Sequence, residues 1–265
     1  MSNEQSEIRV TPIRAFADNY IWLIEPLRAP GRALVVDPGD AAPVLAELEA
    51  RRLRLAAILL THHHPDHIGG VAALLAALGP MRVYGPDDER IPYLTQRVSD
   101  AMQVDFPELR LAFETWSIPG HTLSHVGYVG HGALFCGDTL FSAGCGRLFE
   151  GSPEQMNASL NRLADLPPAT RVYAGHEYTA ANLRFALAVE PTNDDTRRYD
   201  AAVAQLRAAG TPTLPSTIAV ERRVNPFLRC ARPDVRGAAE RHAGRPLAAS
   251  AEVFAVLRGW KDGFR

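Results

Sequence analysis

Cysteine is scarce in this chain. There are three in 265 residues, Cys136, Cys145 and Cys230, an odd number without close pairing. That excludes a disulfide framework and reads as free thiols in a reducing compartment. The opening residues, Met-Ser-Asn-Glu-Gln-Ser-Glu, lack a basic n-region and an apolar h-region, so no export signal is expected and the cytoplasm is the expected location. No apolar run approaches the length of a bilayer span, which argues against a membrane protein. Basic charge is not in excess either. A formal net charge of -2 leaves no electrostatic footprint for nucleic acid. Internal repeats, low-complexity tracts and a Gly-x-Ser-x-Gly nucleophile elbow are all missing, so a serine hydrolase of that kind is not expected. What remains is an ordinary globular composition, 46% hydrophobic and 22% charged. The length allows one large domain or a domain with a small satellite.

Against that background one stretch stands out. Residues 61–70 read Thr-His-His-His-Pro-Asp-His-Ile-Gly-Gly, which contains His-x-His-x-Asp-His at His62, His64, Asp66 and His67. It follows the apolar run 55–60, the length of a buried parallel strand, and precedes helix-like apolar spacing over 68–78. The histidines are therefore expected at the carboxyl end of a strand, where open α/β sheets place their ligand sites. Imidazole and carboxylate suit Zn, Fe or Mn, and such close spacing lets one short loop serve two ions. His63 is expected to face away, since alternate residues of an extended segment point to opposite sides.

Around this segment the pattern is β-β-turn-β-α-β-α-β, which calls for helices covering a sheet. Strands are expected at 8–16, 20–25, 33–36, 55–60 and 81–84, with a helix over 43–53. Further on, 109–113 and 116–118 are strand-like, and 126–129 with 133–136 form a hairpin around Gly130-His131-Gly132. A glycine-rich loop over 143–147 precedes a helix that starts at Ser152, with Pro153 at the first helical position and Gln155 completing a capping box. The last convincing strand is 171–174. Beyond it, helices are expected at 179–189, 195–209 and 251–261, and the proline-punctuated stretch 211–227 is expected to be irregular. The domain boundary is placed near 178.

Three more candidate ligands, His121, Asp138 and His176, each end a strand beside glycine. Five histidines and two aspartates exceed the three or four ligands one zinc needs, and fit two metals if a carboxylate bridges. Asp37, beside Pro38-Gly39, reads as a turn-capping residue. Cys145 reads as a small buried thiol with no base nearby, and His125, His131 and His242 as surface or core residues.

The whole pattern resembles the metallo-β-lactamase fold superfamily, and more narrowly the hydroxyacylglutathione hydrolase, or glyoxalase II, family. The stretches that carry the resemblance are 16–22 (Phe-Ala-Asp-Asn-Tyr-Ile-Trp), 61–70, 119–122 (Pro-Gly-His-Thr), 137–146, 175–179 (Gly-His-Glu-Tyr-Thr), 225–229 (Asn-Pro-Phe-Leu-Arg) and 258–262 (Arg-Gly-Trp-Lys-Asp). It implies an α/β metallo-β-lactamase-like αββα sandwich over 1–177, followed by an all-helical glutathione-binding domain over 178–265. It implies two divalent metal ions, zinc first and iron or manganese as alternatives. His62, His64 and His121 would hold one; Asp66, His67 and His176 would hold the other; Asp138 would bridge. The implied reaction is hydrolysis of S-(2-hydroxyacyl)glutathione thioesters by a metal-bridged hydroxide, S-D-lactoylglutathione to D-lactate and glutathione, the second step of methylglyoxal detoxification. Asp66 and Asp138 are then the candidate catalytic residues, Asp66 orienting the water. The thiol leaves readily as thiolate, so no strong general acid is needed.

For the glutathione moiety the resemblance points to Arg147, Tyr178, Arg258 and Lys261. The chain departs from the family at Arg147 and Phe149, where Lys and Tyr are frequent, and at Pro65, where Trp is frequent. Arginine can still pair with a carboxylate, but phenylalanine has no hydroxyl to donate. A persulfide dioxygenase with one iron is the nearest rival; the full second-metal set and the Arg258/Lys261 motif speak against it. A closed structural zinc site would want four ligands, often thiolates, rather than seven.

Overall fold

A computed structural model describes residues 7–264. The first six residues, on which most of the no-signal reading rests, lie outside the described ones. The described chain divides into two compact units, one of residues 7–117 with 124–137, the other of 118–123 with 138–264.

The first unit contains β1 (Ile8–Ala15), β2 (Asn19–Pro26), β3 (Arg32–Val36), α1 (Ala41–Arg51), β4 (Arg54–Leu59), α2 (Pro65–Ile68), α3 (Val71–Leu78), β5 (Arg82–Pro86), β6 (Gln96–Val98), β7 (Gln103–Phe106), β8 (Leu111–Ser117), β9 (Val126–Gly130) and β10 (Ala133–Gly137). Strands β1 to β6 form one sheet in chain order, antiparallel through β3 and parallel from β3 to β6. Strands β7 to β10 form an antiparallel meander. The period of two decides what each face buries. From the first sheet, Ile21, Leu23, Ala33, Val35 and Ile58 pack with Val44 and Leu48 of α1 and Val71 and Leu74 of α3. Their neighbours Trp22, Ile24, Leu34 and Leu59 are buried as well, on the opposite face. Each buried valine, leucine or isoleucine among them contributes about 1.5–3 kcal/mol by leaving water. Asp40 starts α1 by accepting the Ala42 N–H at 3.0 Å.

Parallel strands need crossovers, and the crossover after β4 is the histidine segment. Of the helix-like stretch expected over 68–78, Ile68 ends α2 and α3 begins only at Val71, with Gly69-Gly70 between them. The reason is close backbone packing: a Cβ on Gly70 would fall 2.5 Å from the Pro38 carbonyl oxygen. The two strands expected over 109–118 are one continuous strand, β8.

The second unit contains β11 (Leu140–Phe141), β12 (Gly144–Cys145), α4 (Pro153–Ala164), β13 (Arg171–Ala174), α5 (Thr179–Val189), α6 (Asp194–Ala208), β14 (Ser216–Thr217), α7 (Ile218–Val224), α8 (Pro233–Ala243) and α9 (Ser250–Gly263). The capping box at Ser152 and Gln155 is formed, and Pro153 begins the helix. Asn193 caps α6. The stretch expected to be irregular holds β14 and α7, because Thr217 accepts the Val220 N–H at 3.2 Å and starts a helix there. In the core of this unit Phe185 stacks on Phe227 and Phe254 packs edge-on to Phe227, with centroids 5.9 and 5.6 Å apart. Among the described residues no helix is long and apolar enough to cross a membrane.

Candidate metal centre

In the first unit, β4 ends and the chain turns immediately into Thr61–His67. Pro65 takes the first position of α2, as its fixed φ allows, and that turn presents His64, Asp66 and His67 within one loop. Asp37 organises it from the end of β3. Its carboxylate accepts the Thr61 N–H at 2.8 Å and the Thr61 hydroxyl at 2.7 Å, and lies 3.0 Å from His67 Nδ1. Asp37 is buried and in the left-handed region (φ 52°), and its role goes beyond the turn cap read from sequence. It tethers two points of the histidine loop.

The tautomers follow from these bonds. Thr61 gives its hydroxyl proton to Asp37, so at 3.0 Å it receives one from His62 Nδ1. His67 Nδ1 donates to Asp37. Both histidines therefore carry their proton on Nδ1 and leave Nε2 unprotonated, the tautomer a metal ligand needs. His62 Nε2 lies 3.1 Å from His64 Nδ1, and His67 Nε2 lies 3.6 Å from Asp66 Oδ2. Asn19 donates to Asp66 Oδ2 at 2.9 Å, orienting that carboxylate. His63 turns instead to Asp88, 3.5 Å away. The Asp88 carboxyl is held well below the usual range, first by hydrogen bonds from Arg90 and also by Ser124. His125 stacks on His62 at 4.6 Å.

The second unit holds the other three candidate ligands together. Asp138 Oδ2 lies 3.4 Å from His121 Nε2 and 3.3 Å from His176 Nε2. His121 Nδ1 donates to the Arg147 carbonyl at 2.8 Å, so here too the proton sits on Nδ1 and Nε2 is unprotonated. Phe149 packs edge-on to His121 at 5.2 Å and donates its backbone N–H to the His121 carbonyl. Tyr178 stacks flat on His176 at 4.8 Å. The donor set fits divalent cations. His62, His67 and His121 each have one ring nitrogen committed to a protein oxygen and the other turned toward a second ligand group. A carboxylate lies between two imidazoles.

The candidate substrate residues are also in this unit. Arg147 is exposed, with Nε 3.7 Å from Asp262. Arg258 is buried. It donates to the Cys145 carbonyl at 2.9 Å and to Asp262 at 3.0 Å, and lies over the Phe227 ring. Lys261 Nζ donates to the Ala181 carbonyl at 3.2 Å. Its partial burial, with repulsion from Arg258 and Arg184, pulls the ammonium down to about 8. Burial pushes the Cys145 thiol up to about 11, which removes it as a nucleophile near neutral pH. His131 bonds Glu7 and the Ala112 N–H, and His242 stacks on Trp260.

Two residues that serve the site, Asp37 and Asn19, were not assigned that role from sequence. Asn19 had a signal, since it lies in the 16–22 stretch that carries the resemblance. Asp37 had only its place at the end of a strand.

Comparison with known proteins agrees with this geometry. Residues 16–176 match the model of the metallo-beta-lactamase superfamily, and 177–264 match that of the hydroxyacylglutathione hydrolase C-terminus. The chain is similar to the hydroxyacylglutathione hydrolase of Nitrosomonas eutropha, 48% identical over 97% of this chain and 100% of that one. It is likewise similar to that of Alkalilimnicola ehrlichii, 56% identical over 96% and 98%. Among solved structures, TTHA1623 in a di-iron-bound form is similar with a TM-score of 0.60 and 28% identity, over 83% of this chain and 100% of that one. A metallo-β-lactamase fold with these His/Asp clusters suggests a binuclear metal site. The chain belongs to the hydroxyacylglutathione hydrolase family of the metallo-β-lactamase superfamily.

Proposed function

We propose that this protein hydrolyses S-(2-hydroxyacyl)glutathione thioesters, with S-D-lactoylglutathione giving D-lactate and glutathione. The observation that carries the reading is the ligand chemistry. In a chain of this family, three histidines have Nδ1 committed to a protein oxygen and Nε2 facing another candidate ligand, and Asp138 lies against two imidazoles. His62, His64 and His121 would hold one divalent cation, Asp66, His67 and His176 the second, and Asp138 would bridge. Zinc is the first choice, with iron or manganese open to the same donors. When bound, such a pair supplies Lewis acidity, lowering the pKa of a shared water towards ~7 and polarising the carbonyl.

The chain's own residues do the rest. Asn19 holds Asp66 so that its carboxylate can orient the attacking water. Asp37 fixes the His67 ring, and Thr61 fixes His62, so the site needs little reorganisation as charge develops on the carbonyl oxygen. The helical segment 178–265 is the glutathione-binding part in this reading. Arg147 and Lys261 supply cationic donors for the glutathione carboxylates, and Tyr178 borders the site from His176. Arg258 acts on the same face by fixing the Cys145 backbone and Asp262. Cys136, Cys145 and Cys230, buried and outside any disulfide, suit a reducing cytoplasm, and the enzyme works as a monomer.

The test is metal content and hydrolysis in one preparation. Protein purified without added metal is expected to carry two metals per chain and to remove the thioester absorbance of S-D-lactoylglutathione. One iron per chain with glutathione-persulfide-dependent oxygen uptake, and no thioester loss, would overturn the reading.

A further inference from the structure

Glu221, on α7, is fully buried and is held by neutral donors. One carboxylate oxygen accepts the Ala143 backbone N–H at 2.8 Å and the Asn225 side-chain amide at 3.1 Å; the other accepts the Ser142 hydroxyl at 3.1 Å. Ser142 and Ala143 are the two-residue tip of the β11–β12 hairpin. The grip on that tip is wider still. Asn225 also donates to the Phe141 and Gly144 carbonyls, at 3.2 and 2.9 Å, and Asn182 of α5 donates to the Ser142 carbonyl at 3.0 Å. The Tyr199 hydroxyl of α6 lies 2.9 Å from the Ser142 hydroxyl. Ala143 has φ 54°, a left-handed conformation that a residue with a side chain holds only when its surroundings impose it.

The hairpin connects the pieces of the second unit's ligand cluster. Asp138 lies two residues before β11, and Arg147 two residues after β12. The Arg147 carbonyl receives the His121 Nδ1 proton. Gly146 donates to the Thr139 carbonyl at 3.2 Å, and a Cβ on Gly146 would fall 1.9 Å from the Asp138 carbonyl oxygen. The two ends of the hairpin are thus closed on each other beside Asp138, and the tip sets how they close.

We propose that Glu221 is a positioning residue for the metal ligands Asp138 and His121, acting through the Ser142-Ala143 tip of the hairpin; this rests on the binuclear hydrolase reading above. The demand is for acceptor geometry, not for charge. A glutamine can meet it, with its carbonyl oxygen toward Ala143 and Asn225 and its amide donating to the Ser142 oxygen. An aspartate keeps the charge but draws the carboxylate back by about 1.5 Å, one C–C bond.

The experiment compares the parent with Glu221→Gln, Glu221→Asp and Glu221→Ala, reading the rate of metal transfer to a chromogenic chelator and then kcat and KM for S-D-lactoylglutathione. The parent comes first: a parent without bound metal sinks the functional reading itself, a failure distinct from that of this inference. With two metals in the parent, Gln is expected within about threefold of it. Asp is expected to lose metal about 10-fold faster and Ala up to about 100-fold faster, the usual range for groups that orient ligands. The loss should fall on kcat, with KM changed less than about threefold. Metal transfer from Asp and Ala at the parent rate overturns the proposal, as does Asp retaining metal better than Gln. Should Ala not accumulate as folded protein, the Gln–Asp order decides alone.

Discussion

Asp37 serves two candidate ligands with one carboxylate, His67 directly and His62 through Thr61. Replacing it with alanine frees the Thr61 N–H and hydroxyl and leaves His67 able to turn its ring. The orphaned, buried N–H alone costs about 1–3 kcal/mol, and the loss of a ligand-orienting carboxylate costs about 10- to 100-fold in metal affinity or activity. Asp37→Ala is therefore expected to lower thermal stability and metal retention together. Retention equal to the parent's on dialysis against chelator would contradict it. Lys261 gives a second expectation at this scale. With the ammonium drawn down to about 8, it is charged at neutral pH and loses its proton as pH rises through that value. An anionic substrate should bind less well above it, so KM should climb between pH 7 and 9 by up to about 10-fold, as one ionisation allows. Lys261→Arg should flatten that limb, since guanidinium keeps its charge. A KM independent of pH in the parent would remove Lys261 from substrate binding.

At the scale of elements, the site depends on backbones that touch. A Cβ on Gly39 would lie 1.8 Å from the Asp66 carbonyl oxygen, so the turn after β3 and the start of α2 can approach only because Gly39 has no side chain. Gly39→Ala must displace the Asp66 backbone. Misplacement near 1 Å costs about 100-fold in rate, so kcat should fall by that order while the far-UV spectrum stays unchanged; an unaffected kcat would show that the loop yields freely. The same contacts explain what sequence could and could not reveal. The placing of His62, His64, Asp66 and His67 was legible because the signal is local: four donors at the end of an apolar strand. The Ser152 cap was legible for the same reason. Asp37 and Glu221 were not, since their partners lie 24, 78 and 79 residues away in the chain and only folding brings them together. The short edge strand β6, Gln-Arg-Val, has too few residues to show alternation. Helix α8 buries only Val235, Ala238 and Ala239, too small a stripe to stand out from its charged remainder.

For the whole molecule, the question is whether the metals build the fold or are held by it. The first unit has its own apolar core between the first sheet, α1 and α3, and the second has its own aromatic core around Phe185, Phe227 and Phe254. Neither core includes a candidate ligand, unlike a small metal-nucleated domain that is unfolded without its ion. Chelation should then abolish thioester hydrolysis while leaving the far-UV circular dichroism in place, and added zinc should restore the rate. Metal bound to the native state alone, at 100 times its Kd, stabilises by about 2.7 kcal/mol. In a chain of this length that is a shift of about 5–10 °C in Tm, so the stripped protein should melt that much earlier. Loss of the far-UV signal on chelation would mean instead that the ligand loops nucleate the fold. In that case the drop in metal retention expected for Asp37→Ala would have to be read as unfolding rather than as a looser grip on the ion.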